Sequence, residues 1–156
     1  QSKQFDEISN EIKNNFTYCW YYFFEFIFIF TNRWKKQVGD LEIFSVGMVI
    51  MWHSLVKKSY QENGWNFSNW KKNKIKVPET GVNTMSISEI TNIPRPTVVR
   101  KLNYLLKNKY ISVNKKKLFN VNMQDKTLTD TIKLQEKNVI SLAHLVFKIF
   151  HQINIK

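Results

Sequence analysis

Large apolar side chains recur at intervals of three and four along residues 5–34: Phe5, Ile8, Ile12, Phe16, Trp20, Phe23, Ile27, Phe30 and Trp34. That period predicts one long helix over the segment. Its middle, FTYCWYYFFEFIFIF from Phe16 to Phe30, is apolar around almost its whole circumference, and such a helix needs cover on more than one side. The run is fifteen residues long, Glu25 interrupts it, and Asn32, Arg33, Lys35 and Lys36 close it. It therefore falls short of the roughly 20 residues that a spanning helix needs. A secretory signal is not expected either, since a positively charged start and a small-residue cleavage site are missing. The expectation is burial against the chain's own core on one face and against a second subunit on the other. Membrane association through helix 16–30 is the alternative.

Gly39-Asp40 predicts the end of the first helix, with Asp40 capping a second helix from about Leu41 to Lys58. Ile43, Val46, Ile50, His53 and Val56 form its expected inner stripe. Between Tyr60 and Thr84 the periodicity dissolves around Gly64, Pro78 and Gly81, with Trp65, Phe67, Trp70 and the basic run Lys71-Lys72-Asn73-Lys74-Ile75-Lys76. A loop is expected over 60–85. A last helix, about Thr129 to Ile153, repeats Ile132, Val139, Leu142, Val146, Phe150 and Ile153, with Phe147 and Ile149 widening the stripe. The fold class expected is mostly α, with a small β-hairpin.

The hairpin belongs to the segment SISEITNIPRPTVVRKLNYLLKNKYISVNKKKLFNV, Ser86 to Val121. Ser86-x-x-Glu89 matches a capping box at the start of a short helix with Ile87, Ile90 and Ile93 on one side. Pro94 disfavours the α conformation at Ile93, and Pro96 suits the first turn of the next helix, where no backbone donor is needed. A tight turn between two helices follows. In the second of them, about 96–108, Val98, Leu102, Leu105 and Leu106 point inward, leaving Arg95, Thr97, Arg100, Lys101 and Tyr104 on the outside. Two strand-like runs, Tyr110 to Val113 and Leu118 to Val121, flank Asn114-Lys115-Lys116-Lys117. Asn108 tolerates a left-handed conformation in the turn before the hairpin.

Charge sharpens this picture. The formal net charge of the 156-residue chain is +12, but residues 1–62 hold seven Lys/Arg and seven Asp/Glu, whereas 63–124 hold twelve against two. Residues 125–156 hold five against three. Between Ile90 and Gln124 stand eight Lys/Arg and no acid. A local basic block on an otherwise near-neutral chain is the footprint of a polyanion partner. Composition narrows the rest: 43% hydrophobic residues with four Gly and three Pro suit one helical domain, 1–156, with a sizeable core. The single Cys19 excludes an internal disulfide framework and a cysteine-based zinc site, and fits a cytoplasmic setting. His53, His144 and His151 have no Cys, Asp or Glu at ligand spacing, so no metal is expected. With no nucleophile motif, glycine-rich phosphate loop or paired acids, neither an enzyme nor a cofactor is expected.

The order of elements from Ser86 to Val121, and above all Ile93-Pro94-Arg95-Pro96-Thr97-Val98-Val99-Arg100-Lys101-Leu102, resembles the winged helix-turn-helix of the MarR family of bacterial transcription regulators. The match covers about 36 residues, and two features depart from the family pattern: the long 60–85 connection, and Asn108-Lys109-Tyr110 where a Gly-containing turn is usual. The resemblance implies a homodimer that binds double-stranded DNA in a sequence-specific way, with the recognition helix in the major groove and the wing on the adjacent minor groove or backbone. It implies a DNA-binding core at 41–123, dimerisation helices at 1–38 and 127–156, and room for a small-molecule effector. The DNA-binding set so assigned is Arg95, Thr97, Val99, Arg100, Lys101, Tyr104, Lys115, Lys116 and Lys117. Tyr104 stands between the outer face and a place under the wing, and the hairpin lysines would hold phosphates without reading sequence. A nucleic-acid-binding adaptor or replication component using the same module is the other open reading.

Overall fold

The structure, a computed structural model, describes residues 3–55, 66–68, 80–122 and 127–153. Most of them are helical: α1 (Lys3–Asn14), α2 (Phe16–Val38), α3 (Leu41–Leu55), α4 (Thr84–Thr91), α5 (Arg95–Lys107) and α6 (Thr127–Gln152), with β1 (Ile111–Val113) and β2 (Phe119–Val121) between α5 and α6. The expected basic run 71–76, residues 56–58 of the expected second helix, and Gly64, Trp65, Trp70 and Pro78 lie outside the described residues. No single helix among the described residues is long and apolar enough to cross a membrane.

The chain divides into two compact units, Gln1–Trp34 with Lys133–Lys156, and Lys35–Ile132. In the first, the expected single helix is two. The break falls at Asn15, where the Glu11 carbonyl accepts both the Asn15 backbone amide and its side-chain amide, each at 3.0 Å. The body of α6 runs antiparallel to α2, since Arg33 meets Lys137 and Ser141, Tyr22 meets His144 and Lys148, and Asn15 meets Gln152. Leu134, Leu145 and Ile153 are buried there with Cys19. The apolar stripe predicted for the last helix behaves otherwise: Val139, Leu142, Val146, Phe147 and Phe150 are exposed within a single chain.

The second unit is built around α3, which packs on α4, α5 and β2. Val46 and Ile50 of α3, Ile87 of α4 and Val98 of α5 are fully buried, with Leu102, Leu105 and Ile111 close behind. Each such side chain stabilises the fold by roughly 1.5–3 kcal/mol. The stripe on α3 is rotated slightly from the expected one: Val49 and Ser54 are buried, whereas His53 is half-buried, its ring Nδ1 donating to Val49 O at 2.9 Å. Gly39, at φ +106°, ends α2, and Asp40 caps α3 by accepting from the Ile43 amide at 2.7 Å.

Candidate nucleic-acid interface

Helix α4 starts earlier than the expected capping box. Asn83 is its cap, with Oδ1 accepting the Ser86 amide at 2.9 Å. A pairing distant in sequence sets this: Val82 and Phe119 exchange backbone hydrogen bonds of 3.2 and 2.9 Å as an isolated antiparallel bridge beside the hairpin. The bridge fixes the exit direction of the chain and leaves Asn83, not Ser86, at the non-helical cap position. The expected 60–85 loop thus ends in ordered pairing. Gly81 is required beside it, since a Cβ there would stand 2.6 Å from Phe119 O and 2.7 Å from Asn120 Nδ2.

The turn between α4 and α5 is held by its own side chains. Asn92 takes the left-handed conformation at φ 55°, Thr91 Oγ1 donates to Ile87 O at 2.7 Å, and Ser88 Oγ donates to Ile93 O at 2.7 Å. Pro94, at φ −54° and ψ 135°, caps α5, and its carbonyl accepts from Val98 at 3.0 Å. Pro96 lies in the first turn as the sequence predicts.

Helix α5 buries Val98, Leu102 and Leu105 and turns the opposite side outward. At roughly 100° per residue, Arg95, Pro96, Val99, Arg100, Asn103 and Lys107 fall on one stripe, and all six are exposed. The predicted set divides accordingly. Arg95, Val99 and Arg100 share the stripe; Thr97 is half-buried at its flank; Tyr104, also on a flank, has its hydroxyl within 3.7 Å of where a Cβ on Gly39 would stand. Asn103 and Lys107 belong to the stripe and were not in the predicted set, although their spacing of four from Val99 and Asn103 is the signal that places them.

Lys101 corrects the prediction. Its side chain is only 12% exposed, and its ammonium lies 2.7 Å from Asp40 Oδ2 and 3.2 Å from Glu42 Oε2 at the start of α3. The Asp40 hydrogen bond, opposed by burial and aided by Glu42, raises the Lys101 pKa above its ordinary value. On the carboxylate side, burial works against ionisation but is outweighed by the Ile43 amide and Lys101, so the Asp40 pKa is lowered. Lys101 therefore ties α5 to the first turn of α3. The other seven cations between Ile90 and Gln124, namely Arg95, Arg100, Lys107, Lys109, Lys115, Lys116 and Lys117, are all exposed.

The end of α5 aims the chain into the hairpin. Tyr110 N donates to Leu105 O at 2.9 Å and Lys109 N to Leu106 O at 3.0 Å, the paired bonds of a Schellman cap. The left-handed residue in it is Lys109 at φ 59°, not Asn108, which sits at φ −88°. Tyr110 then anchors below, its hydroxyl accepting from Gln37 Nε2 and donating to Gln37 O, each at 3.1 Å. In the hairpin Ile111 faces Val121 and Val113 faces Phe119. Asn114 Oδ1 accepts from the amides of Lys116 at 2.9 Å and Leu118 at 3.0 Å, and Lys117 is left-handed at φ 57°. Lys115, Lys116 and Lys117 thus form an exposed tip on a turn organised by one asparagine. Among the described residues no three His, Cys, Asp or Glu side chains gather as a metal site. Comparison of the chain with protein families, with curated proteins and with solved structures finds no match in any of the three.

Proposed function

We propose that the chain is a sequence-specific double-stranded DNA-binding transcription regulator, in which α4, the turn, α5 and the hairpin act as a winged helix-turn-helix. One observation carries the reading: α5, the turn that follows it and the lysine-tipped hairpin are continuous in the chain and contain all seven exposed cations, and no acid, between Ile90 and Gln124. In this reading α5 enters the major groove. Arg95 and Arg100 supply bidentate donors for guanine edges or phosphates, Val99 supplies apolar contact to a thymine methyl, and Asn103 can pair with an adenine edge. Lys115, Lys116 and Lys117 hold the adjacent backbone. Lys101 takes no part in DNA contact, because its charge is met by Asp40 and Glu42; it positions the helix.

The test is fluorescence anisotropy with a mixed-sequence duplex across a salt series, followed by selection of a preferred site from a random pool. Affinity falls steeply with salt, and Arg100→Ala weakens binding to the selected site by about 1–3 kcal/mol. Duplex binding that is absent at low salt, or indifferent to Arg100→Ala, overturns the proposal.

A further inference from the structure

The fold itself gives no reason for an asparagine at position 103. Asparagine is a poor residue for a helix interior, because its short amide competes with the backbone for hydrogen bonds. The other asparagines of the module are engaged locally: Asn83 caps α4, Asn92 makes the left-handed turn, and Asn114 organises the hairpin tip. Asn108 and Asn122 donate to Tyr104 O and Lys109 O, and Asn120 is buried. Asn103 sits in the middle of α5, is exposed, and makes no side-chain hydrogen bond within the chain among the described residues. Its place on the helix is specific. Opposite the buried Val98, Leu102 and Leu105, at about 100° per residue, Pro96, Arg100, Asn103 and Lys107 stand within roughly 50° of the centre of the outer face. Pro96 carries no donor, and Lys107 is the last residue of the helix. Arg100 and Asn103 are therefore the pair that a groove-bound α5 carries deepest, and Lys101, held by Asp40 and Glu42, fixes the rotation that points them there.

We infer that Arg100 and Asn103 set the sequence preference of this site by reading consecutive base pairs, Arg100 a guanine and Asn103 an adenine. The inference rests on the DNA-binding reading above and assigns base choice within it. Along α5 the two residues are three apart, a rise of about 4.5 Å, against about 3.4 Å between base pairs. A helix laid along the major groove thus brings them to neighbouring pairs. In that groove guanine offers two acceptors, cytosine one donor and thymine one acceptor, whereas adenine offers an acceptor, N7, beside a donor, the N6 amino group. A carboxamide, with one donating and one accepting end, matches adenine alone in a two-bond contact: Asn103 Nδ2 donates to N7 and Oδ1 accepts from N6. The Arg100 guanidinium, which only donates, matches guanine O6 and N7. Being uncharged, Asn103 releases no counterion, so its effect falls on base choice and not on the salt dependence of binding.

The test is selection from a random duplex pool with the full chain as wild type, Arg100→Ala and Asn103→Ala, followed by titration of the selected duplex by fluorescence anisotropy. The wild-type site is expected to hold guanine and adenine on adjoining pairs, and exchanging that A·T pair for G·C weakens wild-type binding by about 5- to 150-fold. Asn103→Ala binds the two duplexes alike while keeping the guanine preference and the wild-type salt slope; Arg100→Ala loses the guanine preference and keeps that for adenine. Alanine favours a helix more than asparagine does, so circular dichroism of Asn103→Ala stays unchanged. A change on the DNA gives an independent reading: 7-deazaadenine at the assigned position, which lacks the N7 acceptor, weakens wild type and leaves Asn103→Ala unaffected. Salt-sensitive binding in which Asn103→Ala keeps full discrimination at every base pair overturns the inference and leaves the DNA-binding reading standing. Equal wild-type affinity for adenine and 7-deazaadenine does the same. A wild type that binds no duplex at low salt overturns both.

Discussion

Asp40 performs two tasks that substitution can separate. Its Oδ1 caps α3 at the Ile43 amide, and its Oδ2 meets Lys101 at 2.7 Å. Asp40→Asn keeps a cap oxygen and removes the charge, whereas Asp40→Ala removes both. Loss of an N-cap costs about 1 kcal/mol. Asp40 is 42% exposed, so solvent screens its pairing with Lys101, and that part is held to about 0.5–1 kcal/mol. The expected loss at pH 7 is therefore about 0.5–1 kcal/mol for Asp40→Asn and about 2 kcal/mol for Asp40→Ala. Lys101→Met removes the other partner, and the double variant Asp40→Ala with Lys101→Met loses less than the sum of the two by about 0.5–1 kcal/mol.

The pH dependence has a definite sign. The folded Asp40 pKa lies below its ordinary value of 3.8, so its contribution is fully present above that value and is lost as pH falls through the lower folded one. The folded Lys101 pKa lies above 10.5, so its contribution is present below that value and is lost only as pH rises through the higher one. The gap between wild type and Asp40→Asn is thus flat from about pH 5 to pH 9 and narrows below about pH 4. Urea unfolding at pH 7, 5 and 3, followed by circular dichroism, measures it. An Asp40→Ala protein within 0.5 kcal/mol of wild type at pH 7, below the typical cost of a lost cap, refutes the reasoning. A gap that widens on acidification refutes it equally.

Three further outcomes are expected. Lys109→Gly stabilises the protein by about 0.5 kcal/mol, because relief of the left-handed strain at φ 59° exceeds the added freedom of the unfolded chain; Lys109→Ala, which also removes the charge, shows no such gain in the same urea titration. Gly81→Ala costs about 1–3 kcal/mol, since the new Cβ meets Phe119 O at 2.6 Å, and an unchanged midpoint is the contrary result. Replacing Lys115, Lys116 and Lys117 together by Ala lowers the slope of log affinity against log salt by about 2–3 with little change in the preferred site; a lost sequence preference at an unaltered slope contradicts their role as backbone contacts.

What the sequence reveals here depends on the distance over which each feature is decided. The turn from Asn92 to Pro96, the buried side of α5 and the hairpin tip were legible because proline, asparagine and apolar spacing act within a few residues. The cap of α4 was not, since Asn83 is placed by the pairing of Val82 with Phe119, thirty-seven positions away. The left-handed residue after α5 is Lys109 because the bonds to Leu105 and Leu106 count from the helix end, whatever residue type falls there. Periodicity located the apolar positions of α2 and α6 but not the side each helix turns to the other, because polar groups such as Arg33, Asn138 and Ser141 form the seam.

The role of Lys101 is decided by the fold and not by its place along the helix. On a helix with one buried face and one exposed stripe it reads as one more cation beside Arg100, and only the fold brings Asp40, sixty-one residues earlier, to within 2.7 Å of it. The consequence is a division of labour along a single helix. Lys101 fixes the position of α5 through an acid-held contact, while Arg95, Arg100 and Lys107 are exposed and are the cations that the proposed function assigns to an anion. Net charge alone would count all four alike; the placement of two carboxylates at the start of α3 decides which of them is spent inside the protein and which face outward.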